Sequence, residues 1–347
     1  MEDKEKNESE KKESLVTQKN DQDNLSLDKQ SEEYIWLAGQ VNKVRSSIKS
    51  FIIGQEELVD LLIAGLFSSG HILLEGVPGV AKTLASKVLS KSLDIDFSRI
   101  QFTPDLMPSD VIGTSVFDMK DSKFTFRKGP VFSNMVLIDE INRAPAKTQA
   151  ALFEVMEERQ ITYDGKRYQM KMPFMVVATQ NPIEQEGTYN LPEAQLDRFL
   201  FKITIQHPPL EDEIKILDRY QSKDKMESIE NISPVLKPSD IEKIQTIVDE
   251  VKISPDLIEY IAKLVDKTRA HQHIYLGASP RGSLSIAKGA KAMAAIAGRD
   301  FIIPDDIQMV APYVLNHRLI LTPEAEMEGV DVIELIQELT KEVQVPR

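Results

Sequence analysis

Cysteine is missing from all 347 residues, which rules out disulfides, zinc–thiolate sites and cysteine nucleophiles. That composition fits a reducing, cytoplasmic setting. Long apolar runs are missing too. A membrane helix needs about 18 consecutive apolar residues, and the longest candidate, "LVDLLIAGLFSSGHILLEG", is broken by Asp60, Ser68, Ser69, Gly70 and His71. The N-terminus does not follow a signal-peptide pattern. Basic residues are in deficit, 42 Lys and Arg against 55 Asp and Glu, for a net charge of −13. Broad binding to a phosphate backbone needs the opposite balance, so nucleic acid is not an expected partner beyond a local basic channel. There is no H-E-x-x-H, no G-x-S-x-G elbow and no dinucleotide fingerprint. His271 and His273 alternate in "AHQHIY", without a third ligand at metal spacing.

What is present divides into three parts. Residues 1–30 are mostly charged or amide-bearing; they cannot bury enough apolar surface to offset their ordering entropy, and read as a disordered tail. In residues 31–206 helices alternate with apolar strands. Ser31 is placed to cap an expected helix whose apolar positions are Ile35, Ala38, Val41, Val44 and Ile48, and "GQEELVDLLIAGLFSS" is expected to form the next. The runs "HILLEG", "DIDFSRIQF", "NMVLIDE" and "FMVVATQNP" predict strands of a parallel sheet covered by helices on both faces. Two hairpins interrupt the alternation, one turning over Asp118–Ser122 and one at Asp164-Gly165, a strong hairpin signal. Their lysines and arginines (Lys123, Arg127, Lys128, Lys166, Arg167, Lys171) fit a basic pore or ordinary exposed faces. Residues 207–347 are expected to be all helical, with Met293 and Met309 filling helix cores.

"LLEGVPGVAKT", residues 73–83, has the strand–turn–helix context of a phosphate loop. Unpaired N–H groups and the positive dipole end of the helix face an anion there. Lys82 would reach terminal phosphates and the Thr83 hydroxyl would coordinate magnesium. Gly76 and Gly79 lie where the backbone turns or approaches phosphate closely. Ala81 stands where the common pattern has a second glycine, at a helix entry that accepts a methyl group. "MVLIDE" ends a buried strand with Asp139, suited to magnesium, and Glu140, suited to polarising a water. Asn181 ends the next apolar run, where an amide orients water or γ-phosphate, or simply makes a turn. Arg198 has the fork that suits phosphate oxygens, or pairs with its neighbour Asp197. Arg281 opens a helix, where a cation gains nothing from the dipole.

Together "EGVPGVAKT", "QFTPDLMPSDVIGT", "GPVFSNMVLIDEINRAPAKTQAALFEVMEERQIT", "VVATQNPIEQEGTYNLPEAQLDRFLF" and "GASPRGSL" resemble an AAA+ ATPase of the MoxR family, over roughly Ile52 to Arg318. The family commonly has Ala before the Walker A lysine. The resemblance implies an α/β AAA+ P-loop core followed by a helical lid, with ATP and Mg2+ as cofactors. It implies a Walker A loop of Gly76, Val77, Pro78, Gly79, Val80, Ala81, Lys82 and Thr83, with Leu84 following, and a Walker B strand ending at Asp139 and Glu140. Asn181 matches sensor 1, Arg281 falls in the sensor 2 motif, and Arg198 matches an arginine finger acting on a neighbour's ATP in a ring, usually a hexamer. Ile53 and Gly54 would face the adenine. Val111–Lys128 and Arg159–Lys171 would be the two inserts, which in related rings face the pore or a substrate. Gly282 departs from the more frequent Ala. The family implies protein clients, often with von Willebrand factor A domain partners. A DNA-directed motor, a metal-chelatase motor subunit and a non-hydrolysing scaffold are the competing readings.

Overall fold

The computed structural model describes residues 32–49, 51–76, 82–181, 189, 191–221 and 229–346. The expected tail, the Ser31 cap and most of the phosphate loop (Val77, Pro78, Gly79, Val80 and Ala81) lie outside the described residues.

The first helix, α1, spans 32–49 and is followed by α2 (Glu56–Phe67). β1 (Ile72–Gly76), α3 (Lys82–Ser92), β2 (Phe97–Gln101), α4 (Pro108–Ile112) and the hairpin β3 (Gly113–Asp118) and β4 (Lys123–Lys128) come next. β5 (Met135–Asp139), α5 (Ala146–Glu158), the hairpin β6 (Gln160–Tyr163) and β7 (Lys166–Gln169), β8 (Met175–Gln180), the short α6 (Glu193–Leu196) and β9 (Phe201–Ile205) complete the core. The sheet runs β2-β5-β8-β1-β9, every pairing parallel. Its central strands are apolar up to their carboxyl ends, because both faces are covered. Ile72, Leu74, Met135, Leu137 and Val177 join one buried cluster with α2 and α3, while Leu73, Val136, Ile138 and Val176 join another with α5. By the same two-residue alternation Asp139 continues the face of Met135 and Leu137, the face that carries α3.

The two hairpins pack on each other through aromatic rings. Phe126 lies 4.9 Å from Tyr163 and 4.4 Å from Tyr168, centroid to centroid. The predicted Asp164-Gly165 turn has positive φ at both positions, 50° and 70°, as a two-residue hairpin turn of this type requires. Lys171 pairs with Asp96 at 2.6 Å in an exposed ion pair.

From α7 (Leu210–Gln221) onward the chain is helical: α8 (Pro238–Asp249), α9 (Pro255–Ala270), α10 (Pro280–Ile296), α11 (Pro304–Leu315), α12 (Pro323–Met327) and α13 (Val332–Glu342). The expectation of helices alone needs one correction. β10 (Ile274–Leu276) and β11 (Ile320–Leu321) form a small antiparallel ribbon, too short to leave an alternating pattern. Two residues also differ from their expected burial. Ile35 is exposed, and Tyr34 and Leu37 take its place beside Val41, Val44 and Ile48; Tyr34 donates its hydroxyl to the Ile247 carbonyl of α8. Met309 is exposed because the buried face of α11 runs through Ile307, Val310, Ala311 and Val314, about 150° around the helix from it.

Candidate active site

Four strand ends converge at the carboxyl edge of the sheet, the edge where open α/β folds bind ligands. β1 ends at Gly76 with φ +159°, and a Cβ there would stand 2.6 Å from the Ile205 carbonyl of β9. α3 begins at Lys82, whose Nζ donates to the Gly76 carbonyl at 2.5 Å. Burial pulls the Lys82 pKa down, opposed by the charges of Asp139, Glu140 and Glu75 nearby. Thr83 is half-buried beside it, and Leu84 packs on the main core.

Asp139 ends β5 in a buried position. Its Oδ2 is paired with Arg99 Nε at 2.5 Å, and its Oδ1 accepts a 3.4 Å contact from the Thr179 hydroxyl. Glu140 is left-handed, φ 57° and ψ 54°, a conformation that costs a non-glycine residue energy and tends to mark functional sites. Its backbone N–H donates to Thr179 Oγ1 at 3.0 Å. Its carboxylate accepts from the Gln101 amide at 2.7 Å and faces Arg143 Nε at 3.1 Å. Asn181 is buried just past β8, so the structure gathers Lys82, Thr83, Asp139, Glu140 and Asn181 at one edge. Gln101, Arg99, Thr179 and Arg143 were not singled out from the sequence. Only the strict alternation of "RIQF" hinted that Arg99 and Gln101 share a face.

The donor set suits a metal carried by a nucleotide. Among the described residues no group of three or more acidic or histidine side chains could hold an ion. One carboxylate, Asp139, and one hydroxyl, Thr83, are what Mg2+ typically takes from a protein when phosphates and water complete its shell.

Ile53 is half-buried and Gly54 exposed, with φ +75°. Gly54 backs onto the Asp212 carboxylate of α7, which a Cβ at position 54 would displace. α7 follows β9, the strand paired with β1.

Arg198 and Arg281 are elsewhere. They line a cavity of about 440 Å³ together with His71, Glu157, Asp197 and Lys288. Arg198 donates from Nη1 to the Phe153 carbonyl at 2.8 Å and pairs with Glu157, while its buried Nε has no hydrogen-bond partner among the described residues. Arg281 hovers 3.7 Å from both Glu157 and Asp197 and is 59% exposed. His71 precedes β1 and Arg198 precedes β9, so this cavity sits at the amino edge of the sheet. A five-residue strand spans roughly 15 Å, which separates these arginines from the Lys82 group. A third arginine, also not singled out, is sealed beside them. Arg318 is buried with Nε 2.7 Å from Asp197 and its Nη2 donating to the Phe199 carbonyl at 2.8 Å.

A parallel β2-β5-β8-β1-β9 sheet, a phosphate-loop lysine at its carboxyl edge, paired carboxylates on the adjoining strand and a helical lid define a P-loop ATPase of the AAA class. The family described as "ATPase family associated with various cellular activities (AAA)" matches residues 71–201, and "AAA lid domain" matches 266–339. YeaC of Bacillus subtilis is 46% identical over 306 residues, 88% of this chain and 95% of its own. Chaperone MoxR1 of Mycobacterium tuberculosis is 42% identical over 328 residues, 90% of this chain and 84% of its own. The crystal structure of a Cytophaga hutchinsonii protein assigned as an ATPase superposes with a TM-score of 0.84 at 40% identity, covering 93% of this chain and 99% of that one. The chain belongs to the MoxR family of AAA ATPases. Membership implies nucleotide binding and ATP hydrolysis. No helix among the described residues is long and apolar enough to cross a membrane.

Proposed function

We propose that this chain is the subunit of a magnesium-dependent ATPase ring, most simply a hexamer, that remodels or matures protein clients. The observation that carries the reading is the separation of parts. Lys82, Asp139, Glu140 and Asn181 stand at one edge of the sheet, and Arg198 and Arg281 stand at the other. An arginine that serves phosphoryl transfer has to meet the γ-phosphate. Across roughly 15 Å of sheet it meets a neighbour's nucleotide and not its own. The ATP site is then complete only between subunits, and both arginines act in trans.

In this reading the loop from Gly76 to Ala81, with Thr83 and Leu84, cradles the phosphates, and Ile53 and Gly54 flank the base. Lys82 neutralises the terminal phosphates. Glu140 takes the proton of the attacking water, and Asn181 orients that water or the γ-phosphate. Thr83 and Asp139 would hold Mg2+, which when bound supplies charge neutralisation at the β- and γ-oxygens. The client-directed role rests on the 42% identity to a relative named as a chaperone. A von Willebrand factor A domain protein is the expected partner class.

The test mixes two inactive variants. Arg198→Ala subunits keep Glu140, and Glu140→Gln subunits keep Arg198, so mixed rings regain interfaces carrying both groups. Partial recovery of hydrolysis supports the reading. No recovery at any ratio, with rings confirmed by light scattering, overturns the trans arginine.

A further inference from the structure

Both oxygens of Asp139 are already engaged. Oδ1 faces the Thr179 hydroxyl at 3.4 Å, and Oδ2 holds the Arg99 guanidinium at 2.5 Å. Arg99 belongs to the edge strand β2, in register with Leu137, and Gln101 is in register with Asp139. The Arg99 side chain therefore reaches diagonally, two positions along, to the carboxylate at the strand end. The two partners differ in freedom. The Asp139 side chain is 11% exposed and pinned between strands, whereas Arg99 is 54% exposed and can leave without unpacking anything.

Resting on the ATP-site reading, we propose that Arg99 is a counter-cation that occupies the Asp139 carboxylate until metal–nucleotide arrives. With Arg99 gone the buried carboxylate would keep only the charge of Lys82 and a 3.4 Å contact with the Thr179 hydroxyl; that is a costly setting, and the guanidinium offsets the cost. When metal–nucleotide enters, Oδ2 has to be released, since a divalent ion and a guanidinium cannot share it without strong repulsion. Arg99 thus sets how much Mg2+ is needed to load the site. It acts through Asp139 and is a positioning residue rather than a catalytic one.

The experiment titrates Mg2+ against full-length protein holding a fluorescent ATP analogue, with an EDTA sample as the metal-free reference. For Arg99→Ala the half-saturating Mg2+ concentration should fall roughly two- to fivefold, the range expected from loss of a half-exposed ion pair. Arg99→Lys should fall in between. In an Asp139→Asn background, Arg99→Ala should change nothing, because the shared carboxylate is gone. Far-UV melting curves establish that each variant is folded. An unchanged or raised Mg2+ requirement in folded Arg99→Ala overturns the proposal. Failure of the unmodified protein to bind the analogue with or without Mg2+ overturns instead the ATP-site reading on which it stands.

Discussion

The side-chain amide of Gln101 donates to Oε2 of Glu140 at 2.7 Å, so the residue proposed to activate water is held by a strand that carries no catalytic group of its own. Arg143 faces the same oxygen from the other side at 3.1 Å. A carboxylate engaged twice is a poorer acceptor for a water proton. Gln101→Ala should therefore raise basal hydrolysis, by up to about fivefold for one hydrogen bond of ordinary net strength, and leave nucleotide affinity unchanged. Steady-state turnover beside equilibrium binding checks this. A fall in turnover would mean that the amide orients Glu140 rather than restrains it. Since β2 runs on into α4 and the β3–β4 hairpin, the same variant is the place to ask whether the insert senses the nucleotide.

Lys82 and Glu140 should separate binding from chemistry. Lys82→Ala removes the ammonium that donates to the loop carbonyl of Gly76 and should abolish nucleotide binding. Glu140→Gln keeps the shape and the Gln101 contact but cannot take a proton. It should bind ATP normally and hydrolyse it on the order of 10²- to 10⁴-fold more slowly. Fluorescent-nucleotide binding and phosphate release measured on both variants decide the matter, and hydrolysis left intact in both would remove the site assignment.

Much of this was legible in the sequence, for physical reasons that differ by residue. β1, β5 and β8 announce themselves because strands buried on both faces must be apolar throughout. Asp164-Gly165 announces a turn because few other pairs tolerate two positive φ angles. Asp139 and Glu140 stand out because charge at the end of such a strand needs a reason. Ile35 misled because helical spacing fixes a face only to within about one residue, and Tyr34 competes for the same stripe. Arg99, Gln101 and Thr179 were hidden for a stronger reason. They matter through register with a strand some 40 positions away, and no local pattern encodes that pairing. Arg318 is the same case across 121 positions.

Acid should destabilise the protein through two histidines. His71 is fully buried, with Nδ1 accepting from the Val176 N–H at 3.0 Å and Nε2 at 3.1 Å from the Met156 carbonyl. That pattern needs the neutral ring protonated on Nε2. Burial, with Arg159 adding to it, lowers its pKa to about 4, and burial holds His317 well below its usual range as well. The unfolded chain titrates near 6.5, so below that pH it takes up protons that the folded chain refuses. Stability should be flat above about pH 6.5 and fall as the pH drops towards 4, by up to roughly 3 kcal/mol for His71 alone. Melting temperatures at pH 7.5 and 5.5 test this. His71→Gln can keep both hydrogen bonds without titrating, so its two melting temperatures should lie closer together than those of the unmodified protein.

Three arginines crowd one edge of the sheet, and exposure sorts them into different work. The Arg318 side chain is 3% exposed and its Nε is bound to Asp197, while Arg281, 59% exposed, only approaches Asp197 and Glu157 at 3.7 Å. Arg318 follows α11 of the lid, and its donors end on Asp197, the Phe199 carbonyl and Ser285 Oγ, so it ties the lid to the start of β9. Removing it strands Asp197 and several carbonyls in a dry setting. Arg318→Ala should therefore cost about 3–5 kcal/mol, the usual penalty for breaking a buried pair from one side. Asp197→Asn added to it should cost much less than it does alone, because the two share one interaction. Arg281→Ala should leave the melting temperature within a degree or two and lower turnover in the assembled ring instead. Urea titrations of the four Arg318/Asp197 combinations, set beside hydrolysis by Arg281→Ala, separate the arginine that holds the lid to β9 from the one proposed to reach a neighbour's phosphate.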